Sequence, residues 1–383
     1  MTESRLHSPY SLRGLTLRNR AVLAPMQMYG AVEGVPQSWH HHHLAKFAIG
    51  GFGLVFTEAL AVERRGRNTY GDMGVWSDQH VPGLKALADT IRESGAVPAA
   101  QLWHAGPKAS RQRPWEGYGP LGEAEAARGE TPWQPVAPVP EAKVEGWHQP
   151  KALSEAEAME VAAAFGEGAR RCLEAGYELL EVHAGHGYLV HSFYSPLGND
   201  RSDGFGGGRE GHMRFPIEVA KAIRRHWPDD KPLIFRLSCV DDHEEKHGWS
   251  IEDSIVLAGR LREVGVDMID CTSGGVGAPP TLKTAVRPHG FQVPYAERIR
   301  REIDMPTMAV GLIRHAAHAE SILAEGQADL ICIAREALFN PQWPLQAALD
   351  LEGDEGYRHW PPQYGWWLQR RARYLERQDR QAN

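Results

Sequence analysis

The chain has 383 residues, 42% of them hydrophobic and 24% charged, with 42 lysines and arginines against 49 aspartates and glutamates and a formal net charge of −7. This composition supports a large buried core and excludes a general nucleic-acid binder, which needs a basic face to displace phosphate counterions. No apolar stretch reaches the ~18–20 residues that cross a bilayer. The N-terminus, MTESRLHSPYSLRGL, lacks the charged start and apolar run of a signal peptide. A cytoplasmic protein without membrane association is expected.

In chain order, residues 1–20 contain LRGLTLRNR, which reads as a hairpin ahead of the first strand. Eight short apolar runs follow: 21–26 (AVLAPM), 53–59 (GLVFTEA), 97–102 (VPAAQL), 177–183 (YELLEVH), 233–238 (LIFRLS), 268–273 (MIDCTS), 307–311 (TMAVG) and 329–334 (DLICIA). Most are continuous rather than alternating, the pattern of parallel strands covered on both faces. Helical patterns separate them at 81–94, 154–175, 213–226, 251–264, 295–302 and 315–325. Ser154 and Ser250 stand as N-caps, SEAE at 154–157 fits a capping box, and ESGAV, EAGYE, EVGVD and AEGQAD place a glycine between helix and next strand. Eight βα units predict an α/β fold, a (β/α)8 TIM barrel; a doubly wound sheet shares this periodicity, which does not reveal closure.

Residues 105–150, rich in Gly, Pro and Trp, read as a loop excursion after strand three, near the opening of any site. The polar stretch 372–383 is expected to fray. The whole is read as one domain over 1–383, with its core at 6–370 and a polar tail at 371–383. The cysteines, Cys172, Cys239, Cys271 and Cys332, are scattered without a C-x-x-C pair, so free thiols are expected and no cysteine-built metal centre.

In a barrel the chemistry belongs at the C-terminal strand ends. There the chain places Met26, Gln27, Met28 and Tyr29, then Glu58 and Ala59, Gln101 with His104 beyond it, His183, His186 and Tyr188, Arg236, Ser273 to Gly277, Gly311, and finally Ala334 and Arg335. The last two ends suit a phosphate, with Gly311 allowing close approach and Arg335 supplying a charged fork. His183 and His186 are spaced to share a metal, but no third ligand converges with them; neutral donors aimed at one substrate oxygen fit better. The run HHHH at 40–43 begins a helix and points in several directions. GGGREG at 206–211 matches G-x-G-x-x-G without following a strand, so it is not a dinucleotide fingerprint.

Together, LRGLTLRNRAVLAPM, GFGLVFTEALAV, GVWSDQHVPG, QLWHAGPKAS, RPWEG and, most specifically, HAGHGYLVHSFYSPLGNDRSDGFGG resemble the Old Yellow Enzyme family of FMN-dependent ene-reductases, in its xenobiotic-reductase or thermophilic-like branch. The resemblance implies one FMN-binding barrel domain, NADPH or NADH as hydride donor and a small-molecule substrate. By position it implies that Pro25, Met26, Gln27, Ala59, Gln101 and Arg236 meet the flavin, that Gly311, Ala334 and Arg335 hold its phosphate, and that Ser273 and the following glycines lie beside its ribityl end. His183 and His186 match the pair that binds a substrate carbonyl oxygen, Tyr188 the proton donor, and Tyr29 and Trp367 further substrate contacts. A homodimer or homotetramer is implied, with Arg370 near a neighbouring active site. Gln27 departs from the branch, which has cysteine there, and Ala334 stands for a common glycine. The exchange at position 27 leaves open a specialised non-enone substrate or weakened ene reduction.

Overall fold

A computed structural model describes residues 4–142, 145–242, 248–276 and 286–382; Gly277 lies outside them. Eight strands form a closed barrel: β1 (Ala21–Leu23), β2 (Leu54–Ala61), β3 (Val97–Trp103), β4 (Leu179–Ala184), β5 (Leu233–Ser238), β6 (Met268–Thr272), β7 (Thr307–Ala309) and β8 (Leu330–Ile333). Each pairs in parallel with its neighbour in the chain, and β8 returns to β1 with Cys332 opposite Val22, which decides against the doubly wound alternative. Helices cover the outside, among them α1 (Ser38–Ile49), α2 (Val81–Glu93), α3 (Glu155–Glu174), α4 (Arg209–Arg224), α5 (Ile251–Glu263), α6 (Val293–Ile303), α7 (Ala316–Ala324) and α8 (Trp343–Glu352). Ser154 and Glu157 exchange side chain–backbone bonds of 3.2 and 2.9 Å, the expected capping box. Gly95, Gly176, Gly265 and Gly326 follow their helices with positive φ, the left-handed turn that suits glycine.

Side-chain alternation along the strands sorts the barrel into layers. Outward residues such as Leu23, Val55, Leu102, Val182, Phe235 and Ile333 join the helices in the larger core. Inward residues at the N-terminal end, among them Val22, Leu54, Phe56, Leu179, Ile234, Met268 and Leu330, form a separate apolar cluster. The predicted hairpin, Tyr10–Leu12 with Leu15–Leu17, closes this end and contributes Leu15 and Leu17 to the cluster. One step up, the inward positions carry Gln101, Glu181, Arg236 and Asp270; another step up come His183, Ser238 and Thr272, all buried. Between β2 and β3 the register shifts between Phe56 and Ala59, a bulge that re-aims the end of β2.

The loop excursion is where the sequence placed it. It holds the short helical turns Gly106–Lys108, Pro114–Glu116 and Glu123–Ala126, and its later part pairs Val136–Ala137 with Lys151–Ala152. The C-terminal stretch differs from expectation. Pro362–Ala382 forms one helix, α9, instead of fraying at 372. Its residues are largely good helix formers, and Glu376 and Arg380 sit at i, i+4 spacing. No described helix is long and apolar enough to cross a membrane.

Candidate active site

A cavity of about 660 Å³ opens at the C-terminal end of the barrel, within the range of small-molecule and cofactor sites. Its wall includes Pro25, Met26, Gln27, Tyr29, Ala59, Gln101, His183, His186, Tyr188, Arg236, Ser273, Ala334 and Arg335, so the structure brings most of the predicted residues together. Two do not reach it. Gly311 has φ +114° at the end of β7, but its neighbours are Phe291 and Gln292 rather than the cavity. Trp367 is 67% exposed on α9 and is not among the residues that line the cavity.

His183 ends β4 and His186 follows in a tight turn, with φ +55° at His186 itself. The turn is locked from several sides. The His186 N–H donates to Ser238 Oγ at 2.9 Å, and Ser238 Oγ donates to Gly274 O at 2.7 Å. Gly187 N–H donates to His191 Nδ1 at 2.8 Å, which leaves the proton on Nε2 to bond buried Asp241 at 2.9 Å. A Cβ on Gly275 would stand 2.2 Å from the His186 carbonyl carbon, so only glycine allows these two loops to touch.

The imidazole protons follow from their partners. Gly185 N–H donates to His183 Nδ1 at 3.2 Å, so His183 Nε2 carries the ring proton. This atom lies 3.2 Å from His186 Nδ1, and His186 Nε2 lies 2.9 Å from Thr272 Oγ1. Thr272 Oγ1 accepts from Gln292 Nε2 at 3.1 Å and keeps a hydrogen to give. With the proton on His183 Nε2, His186 Nδ1 accepts across this contact; when an oxygen enters between the rings and Thr272 turns to donate to His186 Nε2, the His186 proton moves to Nδ1 and both rings give N–H groups to that oxygen. Burial, then the partner histidine for His183 and Arg236 for His186, hold both pKa values well below 6.5, so the pair is neutral at neutral pH.

Tyr188 packs edge-on against Trp103 and His183, with ring centroids 4.7 and 4.9 Å apart. Its hydroxyl receives Asn68 Nδ2 at 3.5 Å, and burial raises its pKa, so the phenol keeps its proton. Lys108, which the sequence reading did not single out, donates to the carbonyls of His186 at 2.7 Å and Gly275 at 2.8 Å. Burial, helped by Arg111, pushes its pKa down to about 7. Arg111, Tyr118, Trp147 and Trp103 complete this wall and were also missed. Tyr29 has φ +58°, and the turn before it is held by Glu58, which accepts from Met28 N–H at 2.8 Å. The other Glu58 oxygen lies 3.0 Å from His40 Nε2 without meeting it in a hydrogen bond, so one member of the histidine run packs behind this turn.

The opposite wall rests on a buried ionic layer. Arg236 Nη1 meets Asp270 at 3.2 Å, and Gln101 Nε2 donates to Glu181. Burial raises the pKa values of both carboxyls; Asp270 raises Glu181 further, while Arg236 pulls Asp270 back. Glu181 is therefore the carboxyl whose pKa is pushed up more strongly, while Asp270 faces Arg236. Gln27 has both amide atoms buried without a hydrogen-bond partner among the described residues, and Arg236 Nε is likewise unpartnered. His7, Glu352 and His359 are the one described trio within metal-ligating reach of each other, but His7 already bonds Ser4 and the Pro344 carbonyl, and Glu352 bonds Ser4 and His359.

A family model for NADH:flavin oxidoreductases and NADH oxidases matches residues 5–354 of this chain. The chain belongs to that family. It is 42% identical over 351 residues to an NADPH dehydrogenase of Geobacillus sp. (strain WCH70), covering 91% of this chain and 95% of the relative. An NADPH dehydrogenase of Geobacillus thermodenitrificans is 40% identical, covering 90% and 94%. Among solved structures, a 2-naphthoyl-CoA reductase complex superposes with a TM-score of 0.81 at 28% identity, covering 91% of this chain and 53% of that one. Morphinone reductase in complex with tetrahydroNAD gives 0.71 at 23% identity, covering 91% of both chains, a likeness of fold. The protein is thus a flavin oxidoreductase, working with FMN and a nicotinamide nucleotide. The cavity fits such a group: the unpartnered atoms of Gln27 and Arg236 await a polar ring edge, while Arg335 supplies a cation for a phosphate.

Proposed function

We propose that this chain is an ene-reductase, acting on the C=C bond of α,β-unsaturated carbonyl or nitro compounds. The carrying observation is the convergence of His183 Nε2 and His186 Nδ1, 3.2 Å apart in the cavity wall beside Tyr188. Bound FMN supplies a hydride for the β-carbon, drawn from NADPH or NADH. The two imidazoles hold the substrate oxygen and stabilise the charge that grows there as the double bond is reduced, the stage at which a preorganised donor contributes most. Tyr188 delivers its proton to the α-carbon and recovers one from water. Gln27, Ala59, Gln101 and Arg236 line the side assigned to the ring system, and Ala334, Arg335 and Ser273 the phosphate end. Arg236, fixed by Asp270, would offer a cation to the negative charge that FMN gains on reduction. Reduction of 2-cyclohexenone in D2O tests this reading. Deuterium is expected at the α-carbon, and a failure of Tyr188→Phe to slow product formation would remove Tyr188 from the role.

A second reading, a dedicated substrate other than simple enones, is favoured by Gln27, whose buried amide offers both a donor and an acceptor. Turnover of 2-cyclohexenone unaltered in Gln27→Cys would count against it. We also propose a homo-oligomer in which α9 contacts a second copy, on the strength of its exposed Trp366 and Trp367 and of Arg370 stacked 3.9 Å over Trp366. Light scattering showing only monomers would overturn that.

A further inference from the structure

Among the described residues, the cavity wall carries four cationic side chains, Lys108, Arg111, Arg236 and Arg335, and no aspartate or glutamate. This is notable in a chain whose net charge is −7. Three of the four have tasks. Lys108 bonds two carbonyl oxygens, Arg236 faces Asp270, and Arg335 stands at the end of β8 assigned to a phosphate. Arg111 is left over. It is only 3% exposed, yet its Nε and Nη2 have no hydrogen-bond partner, and no carboxylate pairs with it among the described residues. A buried guanidinium with idle donors is unstable unless something completes it.

The side chain is held for such a task. The Arg111 N–H donates to the Asn68 carbonyl at 2.8 Å, and Ser110 before it has φ +63°, a strained backbone that fixes the direction of departure. The guanidinium lies 3.6 Å over the Tyr118 ring and 5.5 Å from that of Trp147. Tyr118 stacks on the guanidinium, while the Nε and Nη2 donors are left without a hydrogen-bond partner. Nε and Nη2 share one edge, the pair of parallel donors that a carboxylate accepts as a fork. The charge sits at the substrate end, because it is felt at Tyr29, Lys108 and Tyr188. The bonded Asn68 ties Arg111 and the Tyr188 hydroxyl to one residue.

We propose that Arg111 is a specificity-determining residue that binds a carboxylate carried by the substrate, so that the preferred substrates are anionic. This rests on the ene-reductase reading for its choice of substrate skeleton. The same donor edge would also accept a phosphate oxygen of the nicotinamide nucleotide, and the test separates the two sources.

The test uses the oxidised holoenzyme without nucleotide, so that binding is read without turnover. The probes are 4-oxocyclohex-2-ene-1-carboxylate and its carboxamide, which differ in charge and little in shape. Dissociation constants come from calorimetry. The carboxylate is expected to bind about tenfold tighter or more, the scale of a charge-assisted pair. Arg111→Gln brings the ratio close to one, and Arg111→Lys retains part of it. A wild-type ratio near one overturns the proposal even if the variants fail to fold, as does a ratio unchanged in Arg111→Gln. Weaker NADP+ binding in Arg111→Gln with the ratio intact also overturns it, by giving Arg111 to the nucleotide. A protein that shows the preference but reduces no enone supports the anion site and sinks the reduction reading instead.

Discussion

At the N-terminal end of the barrel the inward side chains meet as hydrocarbon: Val22, Leu54, Phe56, Met268 and Leu330 pack on one another above the hairpin leucines. At the C-terminal end four of the eight strands, β3 to β6, turn inward His183, Thr272 and Ser238 above a layer of Gln101, Glu181, Arg236 and Asp270. The lower cluster consists of apolar side chains. The upper end leaves Gln27, Arg236 and Arg111 atoms without partners and holds Tyr29, Ser110, Tyr118 and His186 at positive φ. Each such backbone conformation costs about 1–3 kcal/mol and persists only where the surroundings enforce it. The floor is therefore built for cohesion, and the rim spends part of that cohesion on groups waiting for a ligand. On this view the two ends should respond to mutation through different observables.

The largest separation is expected from the histidines. His183→Ala with His186→Ala should lower kcat/KM for 2-cyclohexenone by about 1,000-fold or more, while FMN content stays near wild type. Loss of FMN along with activity would erase the distinction between the oxygen-binding and cofactor-holding walls. The floor supplies the converse. Phe56→Ala should cost about 3–5 kcal/mol of stability, read by denaturant unfolding, with turnover retained in the molecules that remain folded. Tyr188→Phe is expected to lower turnover by about 100-fold without moving the melting temperature by more than a degree or two. Smaller still is Thr272→Val, which removes the hydroxyl that lets His186 carry its proton on Nδ1; about tenfold in kcat is expected, with Thr272→Ser restoring it. Equal loss in both Thr272 variants would mean that packing, not the hydroxyl, is what matters.

The titration behaviour sharpens the same contrast. His183 and His186 have folded pKa values depressed below 6.5, so their contribution to stability is complete above pH 6.5 and is lost as the pH falls. Replacing both by alanine should flatten the acid limb of a stability–pH curve, whereas Phe56→Ala should shift the whole curve down. An acid limb unchanged in the histidine variant would show that other groups dominate it.

Much of this plan was legible in the sequence. Parallel strands buried on both faces leave continuous apolar runs, and all eight runs became barrel strands. The charged residues inside YELLEVH and MIDCTS, Glu181 and Asp270, were visible interruptions of that pattern, but their pairing with Gln101 and Arg236 depends on which strands are neighbours and in what register, which periodicity does not carry. Lys108 and Arg111 escaped notice because they lie in the excursion after β3, whose path follows no repeat; only their position within QLWHAGPKASRQ, next to a strand end, could have flagged them. Gly311 was read from fold habit, and the chain turns it toward Gln292. The terminal helix was missed because α9 buries little apolar surface: its aromatic residues Tyr364, Trp366 and Trp367 are exposed. A stretch crowded with arginine and glutamine, whose few apolar residues stay exposed, looks like a tail even when its residues favour a helix.

The central claim, that the rim reduces an activated C=C bond, is tested most directly by the visible spectrum of the purified protein under anaerobic conditions, with NADPH added first and 2-cyclohexenone second. The account predicts a yellow protein that bleaches with NADPH and regains its colour with the enone, yielding cyclohexanone in stoichiometric amount. A yellow protein that bleaches and then stays reduced in the presence of the enone would contradict it.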